Sequence, residues 1–133
     1  ACLAKAVYNA GVDCISAINT LRGLGVEVKQ IGNKFIKSFV QGGLSGSCIK
    51  PVALYMVNQI RSAVDIPIIA IGGISNLNDL LEFIAVGADA FQIGTANFKN
   101  PSICTSLAKE LSEFISKNNF KSFDELKGAI NGK

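Results

Sequence analysis

Two short apolar runs that each end in a glycine-bearing turn, residues 68–71 before Gly72-Gly73 and residues 90–93 before Gly94-Thr95, predict an α/β fold with a parallel sheet. A third glycine-bearing stretch, Gly42-Gly43-Leu44-Ser45-Gly46, precedes them in the chain. Repeated strand-to-glycine-loop units are how a TIM (β/α)8 barrel builds a phosphate site from backbone N–H groups. A complete barrel needs about 250 residues, and the chain has 133. The expectation is therefore about three βα units of a TIM barrel, one partial domain over residues 1–133. The two glycine turns sit where the last two strands of such a barrel would end, the expectation being its C-terminal part.

Element by element, the chain opens on Ala1 rather than Met, with Leu3, Val7 and Ala10 at helical spacing and no capping residue ahead of them. That start reads as the inside of a helix in a longer parent chain. Residues 13–18 suit a buried parallel strand entered from Gly11 and ending at Asn19-Thr20. Gly23, Gly25 and Gly32 mark a loop, with residues 35–40 a further extended piece. Pro51 fits the first turn of a helix, where its missing N–H costs nothing. Ala53, Met56, Val57, Ile60 and Val64 then recur on one helical face. Residues 68–71 form the next strand. Asn76 is a natural N-cap, Asp79 favours the first turn, and Leu77, Leu80, Leu81 and Ile84 form the inward stripe of a helix that Gly87 stops. Residues 90–93 make the third strand. Asn100-Pro101 starts a long helix with Ile103, Leu107, Leu111, Phe114 and Ile115 inward. Ser122 and Glu125 have capping-box spacing for a last one.

Composition narrows the function classes. Apolar residues make up 49% of the chain, which excludes disorder. The longest apolar stretch, residues 66–74, is too short to span a bilayer and contains Pro67. Net charge is +3 with the basic residues scattered, which argues for neither nucleic acid nor a membrane surface. The start lacks the basic segment, apolar core and cleavage site of a signal peptide. Four cysteines without C-x-x-C spacing and no histidine argue against a metal site or a His-based triad, and for reduced thiols in the cytoplasm.

Glycine lets the backbone approach an anion with no Cβ in the way. Two such turns in successive βα units favour a phosphate ligand at Gly72, Gly73, Gly94 and Thr95 over mere tight turning. Asn19 and Thr20 could complement the C=O and N–H edges of a pyrimidine-like ring, although spacing alone favours a turn-forming Asn. Cys48 reads as an ordinary small thiol, because the chain has no histidine to activate it as a nucleophile. Lys50 could touch a phosphate, the default being a solvated lysine ahead of a helix.

The segments Ile18-Asn19-Thr20-Leu21-Arg22-Gly23, Gly42-Gly43-Leu44-Ser45-Gly46, Ile49-Lys50-Pro51-Val52-Ala53-Leu54, Ile71-Gly72-Gly73-Ile74 and Gly94-Thr95-Ala96-Asn97-Phe98 resemble, in matching order, blocks of the flavin-dependent dihydroorotate dehydrogenases. The I-K-P and G-T-A-N-F details are most similar to the cytosolic branch that works with an NAD-linked iron–sulfur FAD electron-transfer subunit. The resemblance implies FMN as cofactor, contacted by Ile18 and Gly46, with Gly72, Gly73, Gly94 and Thr95 at its phosphate. Asn19 and Thr20 would bind the dihydroorotate or orotate ring. The reaction would be oxidation of dihydroorotate in pyrimidine biosynthesis, with the protein supplying orientation and electrostatics.

Ser47-Cys48 stands where that branch commonly has Pro-Ala. The first five strands, the flavin-adjacent lysine and the cysteine base of the family have no counterpart here, so no catalytic residue is assigned. The isolated chain is expected to be inactive without the missing N-terminal part of the barrel. A homodimer is left open, as is the electron acceptor. Two alternatives stand beside this reading: a pyrimidine-reducing flavoenzyme of the dihydropyrimidine dehydrogenase type, and a non-catalytic half-barrel that binds FMN or phosphate.

Overall fold

A computed structural model describes residues 1–132. Its elements are α1 (Cys2–Asn9), β1 (Ile15–Ala17), β2 (Leu21–Ile31), β3 (Lys34–Leu44), a 3-10 turn (Ser47–Ile49), α2 (Lys50–Arg61), β4 (Ile68–Ile71), α3 (Leu77–Ala85), β5 (Ala90–Gln92), α4 (Ala96–Lys99), α5 (Ile103–Lys117) and α6 (Phe123–Ile130). The fold is mixed α/β. β1, β4 and β5 form a parallel sheet in the order β1-β4-β5, while β2 and β3 form a separate antiparallel pair. The parallel register sets Ile15 beside Ile68 and Ile69 beside Ala90.

The core lies where α2, α3 and α5 cover the sheet. Ala53, Val57, Ile68, Ala70, Leu80, Phe83 and Leu107 pack together there. α3 is capped on both sides: Asn76 Oδ1 accepts from Asp79 N at 3.0 Å, and the Asp79 carboxylate accepts from Asn76 N at 3.2 Å. Gly87, with φ of 99°, ends that helix and faces Arg61, whose side chain a Cβ would strike. Across the same corner Asp89 accepts from Ile68 N at 2.8 Å and Arg61 Nη2 at 2.5 Å, and pairs with Lys127 of α6. Burial alone would raise the Asp89 carboxyl; the hydrogen bonds from Lys127 and Ile68 N outweigh it and hold the group below 3.8.

Several expectations change. The loop assigned to Gly23, Gly25 and Gly32 is a long hairpin: Gly23 and Gly25 lie inside β2, and only Gly32-Asn33 forms the turn between paired Ile31 and Lys34. Gly42 and Gly43 likewise belong to β3, so the loop there begins at Ser45. The first strand covers residues 15–17 rather than 13–18, because Asp13 and Cys14 precede the first partner on β4. In α1, Ala4 is buried and Leu3 is exposed, since β1 is a sheet edge with no further layer beside it. Met56 on α2 is exposed for the same reason. Phe83, absent from the expected stripe of α3, is fully buried. The segment after β5 makes the short α4 before α5 begins at Ile103; Asn100 Oδ1 instead accepts from Ser102 N at 3.1 Å. Before α6, Ser122 accepts from Glu125 N, while the Glu125 carboxylate turns to Lys121 N rather than closing the box.

Candidate functional site

Parallel strands deliver their following loops to one edge of the sheet, and here two of those loops meet a third. Gly72-Gly73 follows β4, Gly94-Thr95 follows β5, and Ser45-Gly46 leads out of the hairpin toward α2. Thr95 Oγ1 donates to Ser45 Oγ at 2.8 Å, joining the first and last of these loops across 50 residues of chain. Gly46, with φ of 89°, presents its carbonyl oxygen 3.0 Å from where a Cβ on Gly73 would sit. Gly73 itself has φ of 78°, and that Cβ would also lie 2.8 Å from Lys50 Cβ. Glycine is therefore required there by backbone angle and by space.

The three loops enclose a cavity of about 190 Å³. Gly46, Gly73, Gly94 and Thr95, all anticipated from the sequence, line it, together with Ser47, Ile74, Ser75, Ala96 and Lys99, which were not. Gly94 has nothing within 4 Å of its missing side chain, so its backbone is open to a ligand. Among the described residues, the N–H groups of Gly73, Ile74, Gly94 and Thr95 donate to no protein acceptor. A glycine-walled recess with free N–H groups can present donors to an anion.

Asp79 stiffens one wall. Its Oδ2 accepts from Ser75 N at 2.7 Å and Ser75 Oγ at 2.9 Å, and its Oδ1 from Lys50 Nζ at 2.6 Å. Lys50 Nζ also reaches Glu82 Oε2 at 2.8 Å. Desolvation pushes the Asp79 carboxyl up, but the Lys50 and Ser75 hydrogen bonds hold it below 3.8. Those same bonds to Asp79, then Glu82, raise the Lys50 ammonium above 10.5. Lys50 is thus an ion-paired, half-buried cation outside the cavity lining that braces the loop after β4. Cys48 is an exposed free thiol whose Sγ donates to the Ser45 carbonyl.

The remaining site residues separate from the cavity. Gly72 is buried beneath it, where a Cβ would lie 2.7 Å from Ala53 Cβ and 3.5 Å from Ile18 Cγ1. Its role in this structure is to let α2 close on β4. Ile18 N extends the sheet by donating to Ile71 O at 2.8 Å. Asn19 spends its carboxamide oxygen on the N–H of the next residue, Thr20, at 2.7 Å. Ile18 and Asn19 border an apolar trough with Leu3, Val52, Met56 and Ile60. Thr20 packs onto Gly43, where any Cβ would clash with its hydroxyl, and faces a separate open recess with Arg22, Gln41 and Gly42. The structure therefore joins four of the eight anticipated residues in one cavity and leaves Ile18, Asn19, Thr20 and Gly72 around it.

Signals for the missed residues were present. Ser45 and Ser47 flank an anticipated glycine, Ser75 precedes a helix N-cap, and Lys99 lies four residues after Thr95, one helical turn away.

A family profile described as dihydroorotate dehydrogenase matches residues 1–115. The chain is 47% identical over 128 residues to the dihydroorotate dehydrogenase B (NAD(+)) catalytic subunit of Parabacteroides distasonis, covering 96% of this chain and 41% of that one. The same-named subunit of a Geobacter species is 44% identical with the same coverage. That of Malacoplasma penetrans is 46% identical over 126 residues, 95% of this chain and 40% of that protein. The chain thus spans about two-fifths of the length of the curated relatives it matches.

Proposed function

The chain belongs to the dihydroorotate dehydrogenase family, and we propose that it supplies the phosphate end of an FMN site in a catalytic subunit oxidising dihydroorotate to orotate for pyrimidine biosynthesis. One observation carries this reading: Gly46, Gly73, Gly94 and Thr95 converge on a single small cavity at the carboxyl edge of the parallel sheet. The donor set fits a phosphomonoester. Free N–H groups, the Ser and Thr hydroxyls and Lys99 line the recess, and no carboxylate does.

When bound, FMN supplies the two-electron acceptor for the oxidation. The chain's own residues hold and orient. Glycine at 73 and 94 lets backbone donors reach phosphate oxygens, and the Thr95–Ser45 bond fixes the loops that carry them. Gly46 lets its loop pass close to a flat ring, and Ile18, against Gly72, offers an apolar contact to it. Asn19 can still offer its carboxamide N–H2 to the substrate ring and Thr20 its hydroxyl. No residue here is assigned the proton transfer. The chain spans about two-fifths of its relatives' length, so the base and the remaining βα units of a (β/α)8 barrel are sought in the rest of the parent polypeptide, with an iron–sulfur FAD subunit as the electron-transfer partner. A homodimer and a cytoplasmic setting fit the same reading. No helix among the described residues is long and apolar enough to cross a membrane.

Titrating FMN into the 133-residue chain and following flavin fluorescence tests the reading. Saturable binding that Gly94→Val weakens at least about tenfold is expected, because a valine side chain fills the recess. Binding that ignores Gly94→Val would place the flavin elsewhere and sink the proposal.

A further inference from the structure

The cavity bounded by Gly73, Gly94 and Thr95 has one charged side chain in its lining, that of Lys99. Four lysines among the described residues pair with carboxylates. Lys50 pairs with Asp79 and Glu82, Lys127 with Asp89, Lys109 with Glu113, and Lys29 with Glu27. Among the described residues Lys99 has no carboxylate within ion-pair distance and no hydrogen-bond acceptor for its ammonium, although it ends a helix whose other residues are well tied down. Asn97 donates its side-chain amide to the Ile93 carbonyl, and Asn100 N donates to Ala96 O at 3.0 Å. The backbone that carries Lys99 is thus held in place, while its side chain is exposed and uncommitted.

A phosphomonoester carries close to two negative charges at neutral pH. Backbone N–H groups can satisfy its oxygens, but they bring only partial charges, and the lining offers no other cation. A lysine serves as a point charge for phosphate without needing the planar geometry an arginine imposes.

We propose that Lys99 is the cationic anchor of this cavity and makes it select a phosphorylated flavin over the same flavin without its phosphate. The proposal rests on the FMN reading above and adds to it the residue that distinguishes the charged ligand. The ammonium takes the phosphate charge, and the N–H groups of Gly73, Ile74, Gly94 and Thr95 set its orientation.

The experiment measures dissociation constants of FMN and riboflavin for the native chain, Lys99→Met and Lys99→Arg, at low and at raised potassium chloride. Because Lys99 is exposed, all three proteins should share one thermal midpoint, checked by circular dichroism. The expected result is that Lys99→Met weakens FMN by about tenfold, as loss of one charge-assisted bond implies, and leaves riboflavin unchanged. Lys99→Arg should keep most of the preference, and the salt dependence of FMN binding should flatten in Lys99→Met. If native chain prefers FMN and Lys99→Met prefers it equally, the Lys99 assignment is overturned while the phosphate cavity stands. If the native chain binds both flavins alike or binds neither, the phosphate reading fails and takes this inference with it.

Discussion

The β4–α3–β5 region and the β2–β3 hairpin are both rich in large apolar side chains, yet they end in opposite environments. Ile68, Phe83 and Ile84 are fully buried, while Val26, Phe35, Phe39 and Val40 on the hairpin are each more than half exposed. The difference is one of layers, not of hydrophobicity. β4 lies in the middle of its sheet with helices packed on one face, so Ile68 and Ala70 are buried and Ile69 and Ile71 half-buried. The hairpin is a two-stranded ribbon of eleven paired residues per strand, and two strands alone cannot cover either of their own faces. Its cohesion comes from the backbone ladder and from cross-strand pairs such as Val26 with Phe39. Lys29, Lys34 and Lys37 keep its exposed edges charged. Apolar sequence secures burial only where a second layer exists to receive it.

Truncation separates the two regions most sharply. Phe83→Ala should cost about 3–5 kcal/mol in urea unfolding, whereas Phe39→Ala should fall within about 0.5 kcal/mol of the native chain. Equal losses would show that the hairpin packs against something in solution. Next in size is Asp79→Asn, which leaves Lys50 short of its main partner and weakens the grip on Ser75 and Asn76. A loss of about 2 kcal/mol is expected in the same assay, with weaker FMN binding because the wall after β4 loosens.

Glycine replacement gives a smaller contrast. Gly73→Ala should destabilise by about 1–3 kcal/mol, since its φ is positive and Lys50 crowds the new methyl group. Gly42→Ala on the hairpin meets nothing within 4 Å and should be neutral or stabilise by about 0.5 kcal/mol.

The pH dependence is the mildest test and involves the core alone. Asp79 and Asp89 titrate below 3.8 in the folded chain. Their contribution is present above that unfolded value and is lost as pH falls through their lower folded values. Lys50 titrates above 10.5, so its contribution is present below 10.5 and is lost as pH rises through the folded value. Thermal midpoints should therefore decline at both extremes. The double variant Asp79→Asn, Asp89→Asn should start lower and show a flatter acid limb; an unchanged limb would mean that other carboxylates set it.

The βα units were legible because their signals are local. Ile68 to Ile71 is a short apolar run after Pro67, Asn76 and Asp79 carry their own cap, and Gly87 supplies its own stop. The hairpin had a local signal too, the alternation of Val26, Glu27, Val28 and Lys29 followed by Gly32-Asn33 as a two-residue turn. Five glycines between residues 23 and 43 masked it by reading as loop. At the site, glycine position pointed to Gly73 and to Gly94 with its neighbour Thr95, and the family resemblance added Gly46; a ligand-facing turn and a tight turn ask for the same residue. That shared requirement is also why Gly72 could not be told from its neighbour: only folding shows that it packs against Ala53 and does not line the cavity.

Residue order therefore settled the alternation of strand and helix outside the β2–β3 hairpin and the cap and stop of α3. Each of these follows from interactions within a few residues along the chain. The partner of Lys50, the bond between Thr95 and Ser45, the placing of Lys99 at the cavity and the exposure of the hairpin were decided by folding. They join residues far apart in the chain, or depend on which layer covers which face. Local propensity holds no information about either.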